Sequence, residues 1–297
     1  MPTSPYQRPM TPWPALAPYA GTVRLPRASL QLFVYQAGPA AAPPVLLIHG
    51  LGDEADTWRH VFGPLAERYR VAALDLPGFG RSDKPRRAYT LPYLRDVVLE
   101  LLDALGWPAA TLLGHSLGAA IAQQAALARP DRVSALWLVD GTLTSRAAKL
   151  NQMLLLMALP VAGTMMYNAL RRDPQAAYNS LRGFYHRLDD LPEADRTFLF
   201  ERVNERVWSD GQRDAFLSIL RHLVWTAPRE QAKLEARLAR LATPTRVVWG
   251  ALDAINSVES GRALAAIQAA ATLTILPDCG HAPHQEAPAA LLRAVLE

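Results

Sequence analysis

TLLGHSLGAAIAQQAALARP, residues Thr111 to Pro130, decides how the rest of the chain is read. Thr111 to His115 is a short apolar run of strand composition. Leu117 to Ala128 is rich in small helix-forming residues, and the pattern stops at Pro130. Between them stands Gly114-His115-Ser116-Leu117-Gly118. A serine pinned between a strand and a helix must sit on a very sharp turn, in a backbone conformation that strains any residue with a side chain. Such a turn projects the hydroxyl from the sheet. The residues two places either side must be small, or strand and helix collide. Ala119 and Ala120 keep the helix face small as well. The five-residue pattern alone turns up by chance in about one chain in ten of this length. Its flanking strand and helix give it weight.

Outward from this turn the same rhythm repeats. Val45 to His49, Val71 to Leu76, Ala135 to Asp140, Thr245 to Gly250 and Ala271 to Leu276 are short, wholly apolar runs that suit strands buried on both faces. Tyr93 to Gly106 has apolar residues at helical spacing and ends at Gly106-Trp107-Pro108. Strand alternating with helix predicts a parallel sheet covered on both faces. Thr22 to Gly38 alternates like a pair of strands.

The rhythm stops between Asp140 and Thr245, where the chain reads as helix throughout. An insertion that interrupts a strand-helix series and returns to a strand is expected to be a cap or lid. The expected organisation is an extended Pro-rich arm over residues 1–20, a core over 21–142 and 242–297, and a helical cap over 143–241. Leu150 to Leu170 carries no charge, but Pro160 and Gly163 break it. It reads as buried or lid helices rather than a membrane span. Peripheral contact through this stretch is left open.

Bulk composition excludes several classes. Half of the 297 residues are hydrophobic and 20% are charged, so a large core is available and a disordered chain is excluded. The formal net charge is +4, on 31 basic and 27 acidic side chains. The basic residues are scattered and nearly all arginine, so no nucleic-acid partner is expected. The single cysteine, Cys279, rules out an internal disulfide and offers no zinc cluster. It fits a reducing compartment, and the proline-broken N-terminus lacks the apolar run of a secretory signal. The expected location is the cytoplasm. The oligomeric state is left open.

A serine is a poor nucleophile without a base, and the base needs an orienting acid. Asp253 lies just past the strand Thr245 to Gly250, and His281 just past the strand Ala271 to Leu276. Both fall where parallel strands end and ligand crevices form. Asp140, at the end of the strand before them, is the rival acid. His49-Gly50-Leu51-Gly52 follows the strand Val45 to His49. Glycines on both sides of Leu51 let backbone N–H groups approach a developing oxyanion, and Leu117, next after Ser116, offers a second donor.

These stretches together resemble the α/β-hydrolase superfamily, in particular its capped single-domain bacterial serine hydrolases. The likeness lies in the HGxG loop at His49, the GHSxG elbow at Ser116, the WGxxD motif ending at Asp253 and the GHxPHxExP motif at His281. Asp75 to Pro85, DLPGFGRSDKP, is similar to the loop after that family's second parallel strand. The resemblance runs from about Val45 to the C-terminus and is weakest in the cap. It implies the α/β-hydrolase fold, a mostly parallel sheet flanked by helices with a helical lid after the sixth strand. It also implies Ser116 as nucleophile, His281 as base, Asp253 as acid, and Leu51 and Leu117 as oxyanion donors. Two departures stand out. Asn256-Ser257 occupy the region where the acid motif usually has a proline, and Gly118-Ala119 stands where Gly-Gly is common.

The expected activity is hydrolysis of carboxylic esters of apolar acyl or aryl groups through an acyl-enzyme, with no cofactor and no metal. A carbon–carbon bond hydrolase, an amidase or peptidase, a cofactor-free perhydrolase, and a non-catalytic ligand receptor are the alternatives. Trp58, Met153 and Met157 are the candidate substrate contacts, although a tryptophan before a helix, or a Met-rich stretch that also holds Met165 and Met166, is often plain packing. His49 is read as a brace for its loop, His115 and His284 as structural, and Cys279 as inert.

Overall fold

The computed structural model describes residues 4–144 and 152–297. Eight strands form one sheet: β1 (Ala20–Leu25), β2 (Leu30–Ala37), β3 (Pro44–Ile48), β4 (Arg70–Leu74), β5 (Ala110–His115), β6 (Val133–Val139), β7 (Thr245–Gly250) and β8 (Ala271–Leu276), in the order β1-β2-β4-β3-β5-β6-β7-β8. β1 pairs antiparallel with β2, and β2 with β4. Every later pairing is parallel. This is the α/β-hydrolase fold, as the strand-helix rhythm and the family likeness imply.

The central strands are buried on both faces, as their unbroken apolar runs require. β8 differs. Its burial alternates because it is the sheet edge, leaving Thr272 and Thr274 exposed. The helices are α1 (Phe62–Ala66), α2 (Leu91–Ala104), α3 (Leu117–Ala128), α4 (Gln152–Met157), α5 (Pro160–Ala169), α6 (Pro174–Asn179), α7 (Glu193–Trp208), α8 (Asp210–Arg221), α9 (Gln231–Leu238), α10 (Val258–Ile267), α11 (Pro283–Glu286) and α12 (Pro288–Leu296). One core layer packs α2 and α3 onto the sheet through Leu94, Val98, Leu101, Ile121 and Ala125. The other face is covered by Phe62, Leu65, Leu291 and Val295.

Between β6 and β7 the chain forms α4 to α9. Part of this insertion has its own apolar core of Tyr167, Tyr178, Tyr185, Leu199 and Val203. The break expected near Pro160 falls between α4 and α5, whose first residue is that proline. Leu150 and Asn151 lie outside the described residues. No helix among the described residues is long and apolar enough to cross a membrane. The N-terminal segment runs along the seam between insertion and core. The Trp13 N–H donates to Asp56 (2.7 Å), and its ring meets Phe198 of α7 edge-on at 5.0 Å.

Close backbone approach explains the small residues around Ser116. A Cβ on Gly114 would stand 2.3 Å from the Gly118 carbonyl oxygen, and one on Gly118 would stand 2.1 Å from that of Ile48. β3, β5 and α3 therefore meet backbone to backbone. Gly118→Ala is expected to lower unfolding stability by at least about 2 kcal/mol, because backbone and not a flexible side chain must yield. Gly63→Ala is the control. Nothing lies within 4 Å of a Cβ built there, so its effect should stay within about 0.5 kcal/mol. Urea unfolding of the two variants measures both.

Candidate active site

Because the strands from β3 onward are parallel, their C-terminal ends share one edge of the sheet. That edge carries the loop His49–Gly52 after β3, Ser116 after β5, Asp140 after β6, Asp253 after β7 and His281 after β8. Ser116 takes φ 52° and ψ −113°, a conformation few residues with side chains adopt. Its N–H donates to the Val139 carbonyl at 2.8 Å. A Cβ on Gly141 would lie 2.3 Å from the Ser116 carbonyl oxygen, so the following strand end also presses on the turn. The Ser116 hydroxyl is half-buried and has no hydrogen-bond partner among the described residues.

His281 is held at three points. Its backbone N–H donates to the Phe184 carbonyl at 2.8 Å, and its carbonyl accepts from His115 Nε2 at 2.7 Å. Its Nδ1 meets Asp253 Oδ2 at 2.7 Å, with both side chains buried. A neutral ring that donates from Nδ1 keeps its lone pair on Nε2. The His281 ring centroid lies 4.8 Å from that of His115, the residue next to Ser116. The other oxygen of Asp253 accepts the N–H groups of Ile255 (2.7 Å) and Asn256 (2.8 Å). Asp253, and not Asp140, thus contacts the imidazole. Asp140 sits behind it, accepting the Gly250 N–H at 2.8 Å. Asn256, at the departure from the expected proline, ties the two: its side chain donates to the Asp140 carbonyl at 2.8 Å.

The loop after β3 is braced from below by His49. Nδ1 contacts the Gly50 carbonyl (2.7 Å) and Nε2 accepts the Leu76 N–H (2.9 Å). The insertion grips it from above. Arg206 of α7 donates to both oxygens of Glu54 (2.6 and 2.8 Å) and to Asp53. Burial, the largest single influence, pushes the Asp53 carboxyl up, but Arg206, His49 and the Thr57 hydroxyl together outweigh it and hold the group below the usual range. Gln212 of α8 bridges the Gly52 carbonyl (3.4 Å) and the Gly80 N–H (3.1 Å), and the Phe216 ring lies 3.2 Å from where a Gly52 Cβ would be. Within this frame neither the Leu51 nor the Leu117 N–H donates to an acceptor among the described residues. The helix N-terminus of α3 leaves the Leu117 group free by construction.

A sequence profile described as alpha/beta hydrolase fold matches residues 43–288. The chain belongs to the α/β-hydrolase fold family. An uncharacterized protein of Mycobacterium tuberculosis (strain ATCC 25618 / H37Rv) is 30% identical over 272 residues, spanning 86% of this chain and 74% of its own. The 2-hydroxy-6-oxononadienedioate/2-hydroxy-6-oxononatrienedioate hydrolase 2 of Pseudomonas putida is 30% identical over 267 residues, 87% of this chain and 88% of its own. Among solved structures, a membrane phospholipase A described as a bacterial virulence factor superposes with a TM-score of 0.70 at 25% identity, over 94% of this chain and 86% of its own. Membership and relatives together mark the protein as a hydrolase.

In this α/β hydrolase the candidate substrate contacts are redistributed. Trp58 is fully buried with its ring 4.8 Å from His284, inside the core layer with Val61, Phe62 and Leu65. A large apolar ring on a short turn lowers its free energy by joining that core. Met157 packs on the core of the insertion, and the Met153 side chain lies outside the described residues. The residues at the site mouth are ones that sequence reading passed over. Phe184, 36% exposed, has its ring 5.8 Å from His281, and Phe216 covers the Gly52 turn. Both sit in helical text with no periodic signal for which face meets the core.

His115, His281 and His284 stack in series, with centroids 4.8 and 4.4 Å apart. Burial, then the neighbouring His281, lowers His115 to about 3. Burial also lowers His49, and burial followed by His115 takes His284 well below its ordinary value. Groups depressed in the folded state are neutral there yet protonate in the unfolded chain near pH 6.5, so their contribution is complete above that pH and is lost as pH falls toward the folded value. Each should remove about 1.4 kcal/mol of stability per pH unit below 6.5. Urea midpoints are expected to fall markedly from pH 7.5 to pH 5; a flat profile would show that these rings carry no such linkage.

Proposed function

We propose that the protein is a serine hydrolase cleaving carboxylic esters of apolar acyl or aryl groups. The observation that carries this reading is the buried His281–Asp253 pair on the same sheet edge as a strained serine elbow, with the Leu51 and Leu117 N–H groups lacking an acceptor among the described residues. In this reading Ser116 attacks the ester carbonyl while Nε2 of His281 takes its proton. Leu51 and Leu117 N–H groups receive the oxyanion, and Asp253 stabilises the imidazolium. The alcohol leaves with the proton from His281. Water then attacks the acyl-Ser116 with His281 again as base. Ligand-free sites often hold the nucleophile–base contact open until substrate arrives. The chemistry calls for no metal or organic cofactor.

The apolar preference is supported by the mouth. Phe184 lies beside His281, Phe216 lies against the Gly52 turn next to Leu51, and Ile255 follows in the turn after Asp253. Three buried arginines are already engaged: Arg206 by Glu54 and Asp53, Arg202 by Glu54 and Glu205, Arg59 by Asp195. A second reading rests on the Pseudomonas putida relative, named for hydrolysis of 2-hydroxy-6-oxo dienedioates. Such dicarboxylates need cations to receive them, and those committed arginines favour the uncharged ester. We further place the enzyme in the cytoplasm, in keeping with a free, buried Cys279.

Ser116→Ala is expected to lower kcat on p-nitrophenyl esters by about a thousandfold or more. A fluorophosphonate should label Ser116 in the native protein; a folded native protein that stays unlabelled and idle on esters would overturn the proposal. Turnover of the dienedioate with idleness on esters would favour the second reading. Phe184→Ala should raise KM for aryl esters about tenfold with kcat little changed, since it removes a wall and not a reacting group.

A further inference from the structure

Asp140 has no task in the chemistry above, yet it is among the most constrained residues of the site. It has φ 48°, the left-handed region, and is completely buried. Three bonds tie it to β7 and to the turn bearing Asp253. Its N–H donates to the Val248 carbonyl (3.0 Å), its Oδ1 accepts the Gly250 N–H (2.8 Å), and its carbonyl accepts Asn256 Nδ2 (2.8 Å). Its second carboxyl oxygen, Oδ2, is buried and receives no N–H or O–H donor among the described residues. An unsatisfied buried carboxylate oxygen is costly enough to require an explanation.

The explanation lies in what surrounds it. The titratable groups facing Asp140 are Asp253, His281, His115, Glu286 and Cys279. None is an arginine or lysine. A carboxyl oxygen of Asp140 lies within 4.8 Å of a ring nitrogen of His281 and of one of His115. His115 is neutral, and the Cys279 thiol is pushed up by burial. Glu286 turns its oxygens onto the N–H groups of Gly280, His186 and Arg187. Among the described residues, Asp253 is the side chain in hydrogen-bonding contact with the Asp140 carboxyl. Two buried carboxyls in contact cannot both be ionised. Asp253 has two backbone N–H donors and the imidazole to favour its anion; Asp140 has one N–H donor. The shared proton therefore belongs to Asp140. Burial, reinforced by the Asp253 charge, raises Asp140 well above the ordinary carboxyl range.

We propose that Asp140 is a positioning residue, a neutral carboxylic acid whose O–H donates to Asp253, so that His281, Asp253 and Asp140 form one hydrogen-bonded chain bearing a single negative charge. The chain orients the Asp253 carboxylate toward Nδ1 of His281 without adding a second charge behind the imidazole. This rests on the reading of His281 as base and Asp253 as its acid.

The test compares the native protein with Asp140→Asn and Asp140→Ala. Asparagine keeps an N–H donor toward Asp253 and an acceptor for Gly250. Asp140→Asn should stay within about threefold of native kcat/KM, while Asp140→Ala should lose about tenfold or more as Asp253 is released. The acid limb of kcat/KM should keep its position in Asp140→Asn. If Asp140 were ionised, removing its charge so near His281 would move that limb down by about one pH unit or more. Such a shift, or an asparagine variant as impaired as the alanine one, would overturn the proposal. Infrared spectra give a reading that needs no substrate and no alanine variant. The native protein at pH 8 should show the carbonyl stretch of a protonated carboxylic acid, absent in Asp140→Asn. Lack of that band would sink the proposal, whereas its presence in a protein idle on esters would sink only the functional reading above.

Discussion

The structure turns on backbone packed against backbone at the end of β5. Ser116 holds a left-handed φ because β3, β5 and α3 approach so closely that Gly114 and Gly118 have no room for a methyl group. Strain of this kind persists only where surroundings over-determine it. Here the Ser116 N–H on Val139, the Gly141 contact and the first turn of α3 supply that determination. The cost is repaid in position. The hydroxyl stands off the sheet edge, and the free N–H groups at the start of α3 lie next to it.

The insertion is coupled to that edge by charge rather than by apolar contact alone. Arg206 and Arg202 reach from α7 to Glu54, and Arg206 reaches Asp53 as well, directly after the glycine loop. Ions this deeply buried gain little net stability over an apolar replacement, but removing one partner strands the other at a cost of about 3–5 kcal/mol. The arrangement therefore specifies geometry. It sets the height of α7 and α8 over the loop, and through Phe216 the depth of the mouth. The N-terminal segment joins the same network, with Arg8 on Glu205 and Thr11 accepting from Arg202.

Charge economy shapes the interior behind the reacting groups. His49, His115 and His284 are buried and shifted toward neutrality, His49 with both ring nitrogens and the other two with Nε2 engaged by a backbone or hydroxyl group. With the neighbouring rings neutral and Asp140 protonated, His281 faces the Asp253 carboxylate alone. A base that must gain and lose a proton within one turnover works best against a single fixed counter-charge.

Much of this was legible in the chain itself. Apolar runs of strand length set the six parallel strands, because a strand covered on both faces has no place for polar side chains. Gly114, Gly118 and Ser116 announced the elbow, and chain order placed Asp253 and His281 at later strand ends. Choosing between Asp140 and Asp253 was beyond a linear reading. Both follow parallel strands, and only the path of the turn through Asn256 decides which carboxylate meets the imidazole and which is left behind it to carry a proton. Trp58 and Phe216 show the same limit. Helical composition says that an aromatic ring will be buried, but which ring fills the core and which roofs the site depends on how the insertion docks. That docking is fixed by Arg202, Arg206 and Gln212 meeting residues more than a hundred positions earlier, a juxtaposition that no local pattern encodes.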